Sequence, residues 1–110
     1  ILPVPKAGWA DYEKQAELGK TVWMDHGALS YVEARDDDVP DGKLTSFPLA
    51  VKKEEGEVIV FSFVTYKSRA HRDEVMKKVM ADPRLQPDKN PMPFDGQRMI
   101  YGGFEMILEA

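Results

Sequence analysis

Val58-Ile59-Val60-Phe61-Ser62-Phe63-Val64-Thr65-Tyr66 is β-branched or aromatic at nearly every position, on odd and even residues alike. A half-exposed strand alternates apolar and polar side chains, whereas a strand covered on both faces does not. The run therefore predicts a central strand over Glu57–Lys67, and the rest of the chain has to supply its neighbours and covering layers.

Those neighbours follow from local pattern. Ile1 to Val4 reads as the tail of a first strand ended by Pro5; the chain opens mid-strand without Met, so a few residues are expected to precede it. An amphipathic helix is predicted over Ala7–His26, because Trp9, Tyr12, Ala16, Gly19 and Trp23 recur at helical spacing. Gly27 supplies the left-handed residue just past its end. Ala28–Asp36 alternates as a strand, with Leu29, Tyr31, Glu33 and Arg35 on one face and Ser30, Val32 and Ala34 on the other. Asp36–Lys43 is loop, and Thr45–Lys52 suits one or two helical turns. Ser68 caps a second helix whose buried stripe is Val75, Met76, Val79 and Met80, and Asp82-Pro83 stops it. Arg84–Pro93 is a polar, proline-rich connection. The stretch Met92–Glu105 then reads as a turn at Asp95-Gly96, where a short reversal uses positive φ, feeding a strand to about Ile107. Gly102-Gly103 interrupts that strand, so another backbone, a bulge or a ligand is expected to approach there.

The order is β-α-β, a small insertion, then β-α-β. It predicts one α+β domain over residues 1–110: a ferredoxin-like sheet with both helices on one face. The uncovered face is too apolar for water, so a second subunit is expected on it, giving a homodimer.

Several blocks also resemble a known family. Asp38-Val39-Pro40-Asp41-Gly42-Lys43, Ala50-Val51-Lys52, Val60-Phe61-Ser62, Asp82-Pro83-Arg84 and Met92–Glu105 are similar, in order and spacing, to the YbaA-like family of uncharacterised bacterial proteins. The resemblance runs from Ile1 to about Glu109. It implies the dimeric α+β barrel fold, in which two ferredoxin-like sheets close one barrel, and it supplies no activity and no site residues. Other families of that fold include cofactor-free monooxygenases, muconolactone-isomerase-like enzymes and haem-dependent enzymes; their chemistry would come here by fold analogy alone.

Composition removes whole classes. A net charge of −4 with scattered Lys and Arg argues against nucleic acid. No run nears the roughly 20 apolar residues of a membrane helix. Zero cysteines exclude disulfides, thiolate catalysis and Cys-ligated metals, and fit a cytoplasmic protein. His26 and His71 have no second histidine at ligand spacing, so no metal or haem, and no other cofactor, is expected. Asp36, Asp37, Asp38 and Asp41 miss the spacing of a calcium loop.

Candidate ligand-binding residues remain. Arg72 falls in the apolar stripe of the second helix and needs a carboxylate such as Glu33 or Glu105, a route to solvent, or an anionic ligand. Tyr31 and Glu33 on one strand, and Tyr101 and Glu105 on another, share faces that would line a polar pocket if turned inward. Turned outward, they are the charged guard of an edge strand. The sequence thus reads as a protein of unassigned function that binds a small organic molecule. The alternatives are a small cofactor-independent enzyme, using Arg72 for a substrate anion and Glu33, Glu105 or a histidine for protons, or a homodimer with a filled barrel.

Overall fold

In a computed structural model, which describes residues 1–86 and 92–110, the expected central strand lies in the middle of a three-stranded sheet. Strand β3, Glu57–Thr65, pairs antiparallel with β1, Leu2–Pro5, on one side and with β2, Ser30–Arg35, on the other. Leu2 stands opposite Val60 and Val4 opposite Val58, while Tyr31, Glu33 and Arg35 stand opposite Val64, Ser62 and Val60.

Alternation divides these positions into two faces. On one face, Leu2, Val4 and Val60 pack with Tyr12 of helix α1, Trp9–Asp25. Val64 lies on that same face and joins a second cluster made by Val22 of α1, Ala28, and Val75 and Val79 of helix α3, Arg69–Met80. Both long helices therefore cover one side of the sheet. Val4, Val22, Val60, Val75 and Val79 are essentially sealed from solvent, each worth roughly 1.5–3 kcal/mol of transfer free energy.

Local chemistry sets the helix boundaries. A 3-10 turn, Lys6–Gly8, leads into α1, and Gly27 at φ +106° takes the chain out of it. The Ser68 hydroxyl accepts from the His71 amide at 3.1 Å and caps α3. The insertion contains one short helix, α2, Phe47–Ala50, with Ser46 as its cap.

The opposite face stays open. Phe61 and Phe63 of β3, their neighbour Val32 of β2, and Phe47 and Leu49 of α2 all keep more than a third of their surface in water. Phe47 and Phe61 meet edge to face at 6.3 Å.

The C-terminal stretch departs from the reading of its sequence. Gly96 does not take positive φ; instead the Asp95 carboxylate accepts from the Gln97 amide and caps a 3-10 turn, Gly96–Arg98. Arg98 then donates to both oxygens of buried Glu57, at 2.8 and 2.6 Å, and to the Lys52 carbonyl at 3.0 Å. Asp-Gly-Gln-Arg is thus a pin onto the start of β3, not a hairpin. Beyond it no strand forms: Ile100 exchanges two 2.9 Å hydrogen bonds with Ile1, and the residues after it take no regular structure. A segment becomes a strand only where another edge takes up its amides, and here only Ile1, just ahead of β1, does so. The expected connection over Arg84–Pro93 begins within a 3-10 turn, Pro83–Leu85, and continues into positions outside the described residues.

Candidate functional site

The row Tyr31–Glu33–Arg35 of β2 faces α1, and Glu33 is its centre. The Tyr12 hydroxyl donates to Glu33 Oε1, and the Tyr31 hydroxyl donates to Oε2 at 2.6 Å. Both phenols are pushed far above their ordinary pKa, first by burial and then by the carboxylate they serve, so they remain donors at any physiological pH. No Lys or Arg among the described residues forms an ion pair with Glu33. Each carboxylate oxygen accepts one phenol and keeps acceptor capacity for a further donor.

Aromatic packing holds the pair in place. Trp9 stacks on Tyr12 with ring centres 5.5 Å apart, Phe94 meets Tyr12 edge-on, and Trp23 lies 5.8 Å from Tyr31. Gly19 of α1 leaves room for the Tyr31 hydroxyl, since a Cβ there would stand 2.8 Å from it. Beside these groups a cleft of about 200 Å³ is lined by Ala16, Glu17, Lys20, Tyr31 and Glu33. At the other end of the row, Lys6, Trp9, Arg35, Asp36 and Val58 line a cleft of about 390 Å³. The Arg35 guanidinium lies over the Trp9 ring there, 4.9 Å from its centre.

Of the residues expected to share a pocket, the structure brings Tyr31 and Glu33 together and leaves Arg72, Tyr101 and Glu105 apart from them. Arg72 lies in the first turn of α3, one turn ahead of buried Val75; its guanidinium turns outward to Asp73, at 2.9 Å, and not to Glu33 or Glu105. The group that approaches Gly102-Gly103 is that same guanidinium, 2.1 Å from where a Cβ at Gly103 would be. Tyr101, 89% exposed, and Glu105 ride on the unpaired tail, so the shared strand face expected of them does not form.

Sequence reasoning missed Tyr12, Trp9 and Lys6. In the sequence the first two fall on the stripe expected to be core. The available signal was a pair of polar-tipped aromatics on the stripe that also carries Ala16 and Gly19, opposite a strand with Tyr, Glu and Arg on one face.

The histidines have structural partners. His26 Nε2 lies 2.8 Å from Asp82 Oδ2, and Arg84 joins Asp82 to Asp25. The Arg84 guanidinium, its backbone amide and His26 together hold the Asp82 carboxyl well below the usual range. His71 Nδ1 accepts from the Lys67 amide at 2.9 Å. Among the described residues no group of three or more His, Cys, Asp or Glu could hold a metal ion, and no helix is long and apolar enough to cross a membrane.

These features define a small mixed α+β protein: a three-stranded antiparallel sheet, two helices on one face, and a tyrosine-held glutamate in the groove under the first helix. The chain belongs to the family described as "Protein of unknown function (DUF1428)", whose model matches residues 1–96. It is 45% identical over 109 residues to "Uncharacterized protein YbaA" of Escherichia coli K12, spanning 99% of this chain and 93% of that protein. The proteins of the same name in Escherichia coli O157:H7 and Shigella flexneri match to the same extent. These relatives are uncharacterised bacterial proteins and the family is one of unknown function, so neither brings an activity.

Proposed function

We propose that this protein binds a small organic molecule in the groove between α1 and β2, with Glu33 as the acceptor for a hydroxyl, amine or other hydrogen-bond donor. The observation that carries the reading is Glu33 itself. A half-buried carboxylate held by two phenols, with no side-chain cation among the described residues paired to it, opens on a cleft and keeps acceptor capacity that a ligand donor can use. The test is a thermal-shift and calorimetric screen of small amines and alcohols against the wild-type protein and Glu33→Gln. A ligand whose binding collapses in the variant supports the reading; ligands that bind both equally sink it.

The scaffold we infer is a ferredoxin-like sheet, completed to a cytoplasmic homodimeric barrel. Its support is the β1-β3-β2 antiparallel order with two helices on one face, and the Ile1–Ile100 hydrogen bonds on the outer edge of β1, where a fourth strand would continue. The open face of Val32, Phe61 and Phe63 is the surface a second copy would cover. Analytical ultracentrifugation tests it: a dimer that Phe63→Glu converts to monomer supports it, and a wild-type monomer at high concentration overturns it.

A further inference from the structure

Lys6 and Arg35 both line the larger cleft, and neither forms an ion pair with a carboxylate among the described residues. Two nearby acids each accept a hydrogen bond from a neutral N–H and keep their charge; neither is paired with Lys6 or Arg35. Asp36 Oδ2 accepts from the Ile59 amide at 3.0 Å, and Glu13 Oε1 accepts from Trp9 Nε1. Arg35 is held differently from an ordinary surface arginine. Its guanidinium lies over the Trp9 ring, and such stacking uses the face of the cation while leaving the N–H donors on its edge free. Those edge donors match a carboxylate in bidentate fashion, and the ordering cost of the side chain has been met in advance by the stack. Val58 and the indole supply apolar wall beside the charge.

We propose that the Lys6–Trp9–Arg35 cleft recognises the carboxylate of a planar organic acid. Arg35 forks the carboxylate, Lys6 adds charge, and Trp9 and Val58 contact the ring or chain that bears it. Arg35 is two residues from Glu33 on the same face of β2, a separation of about 7 Å along a strand. The two clefts share no lining residue, so the carboxylate site stands beside the Glu33 site as a separate set of contacts. The inference deepens the ligand-binding reading and rests on it for the groove's role, yet it is tested through different groups.

The experiment is a titration of ¹⁵N-labelled protein with sodium benzoate at constant ionic strength, with benzamide and inorganic phosphate as comparison probes. Trp9 and Trp23 each donate an indole N–H, to Glu13 and Tyr66 respectively, which gives a reporter and an internal control. Expected is a saturable shift of the Trp9 indole signal with benzoate, a still Trp23 signal, and little response to benzamide. Arg35→Met should weaken benzoate roughly ten-fold, the scale of a charge-assisted hydrogen bond; Lys6→Met should weaken it less, and Lys78→Met, on the solvent face of α3, not at all. Unchanged melting curves of these variants exclude misfolding as the cause. Equal responses to benzoate and benzamide, or an undiminished response in Arg35→Met, overturn the proposal; phosphate binding better than benzoate overturns the planar carboxylate. Amines with Glu33→Gln and benzoate with Arg35→Met fail separately, so the two readings are distinguishable.

Discussion

Gly19 and Tyr31 face each other across the α1–β2 groove so closely that a methyl group on Gly19 would stand 2.8 Å from the Tyr31 hydroxyl. Gly19→Ala therefore tests the Glu33 clamp without touching Glu33. Alanine in a helix gains about 1 kcal/mol over glycine, while the displaced phenol loses a hydrogen bond to a charged group, worth roughly 2 kcal/mol. Urea denaturation should show a net loss of about 1 kcal/mol, together with lost binding of any Glu33-dependent ligand. A variant that gains stability and keeps its ligand would show the contact to be incidental.

The buried phenols set an alkaline limit. Tyr12 and Tyr31 have folded pKa values raised above the ordinary 10.0, so the unfolded chain releases their protons first. Their contribution is complete below about pH 10 and is lost as pH rises beyond it. Phenolate absorbance should therefore show these two titrating only together with unfolding. Tyr12→Phe and Tyr31→Phe should each flatten the stability loss above pH 10.

Arg98 pins the tail to β3. The tail past Ile100 is open to protease in the wild type as well, so the expected effect of Arg98→Met is faster cleavage between Asp95 and Ile100, read by mass spectrometry of the fragments. The acid side follows from the same pair: Glu57 is held below its usual 4.5 mainly by Arg98, and Asp82 below its usual 3.8 mainly by Arg84. Stability supplied by both carboxylates is present above about pH 4.5 and falls away as pH drops through their folded values. Glu57→Gln should shrink that acid-side loss, measured as melting temperature against pH.

Val60 and Phe63 lie on opposite faces of β3, and their substitutions should behave differently. Val60→Ala opens a void in the sealed cluster with Leu2, Val4 and Tyr12, costing about 2 kcal/mol at any protein concentration. Phe63→Ser removes an exposed apolar ring, so its effect should appear only where association matters, as a lost dependence of melting temperature on concentration. Calorimetry across a hundred-fold range of concentration separates the two.

The parts legible in the sequence were those fixed by local rules. The β-branched and aromatic run at Val58–Tyr66 marked the middle strand, Ser68 marked a helix start, and Gly27 marked a helix end, because each is dictated within a few residues. The tail was not legible. Whether Met99–Ile107 becomes a strand depends on the length of the edge beside it, and Asp95 serves a cap as readily as a turn. Of the site, alternation grouped Tyr31, Glu33 and Arg35, but only the packing of Val60 and Val64 against the helices says which way that row points. Arg72 misled because it extends the stripe of Val75 and Val79 by one turn, to the end of α3, where a long side chain reaches Asp73 and solvent.

Past Ile100 the tail holds Tyr101, Phe104, Ile107 and Leu108 in water with its amides free, which is the composition of a segment that stacks on copies of itself. Glu105 and Glu109 interrupt it, and in an in-register stack each would lie directly over its own like charge. In such a stack the two carboxylates would penalise a ladder of identical tails, and replacing both with neutral residues would lift that penalty without touching the core.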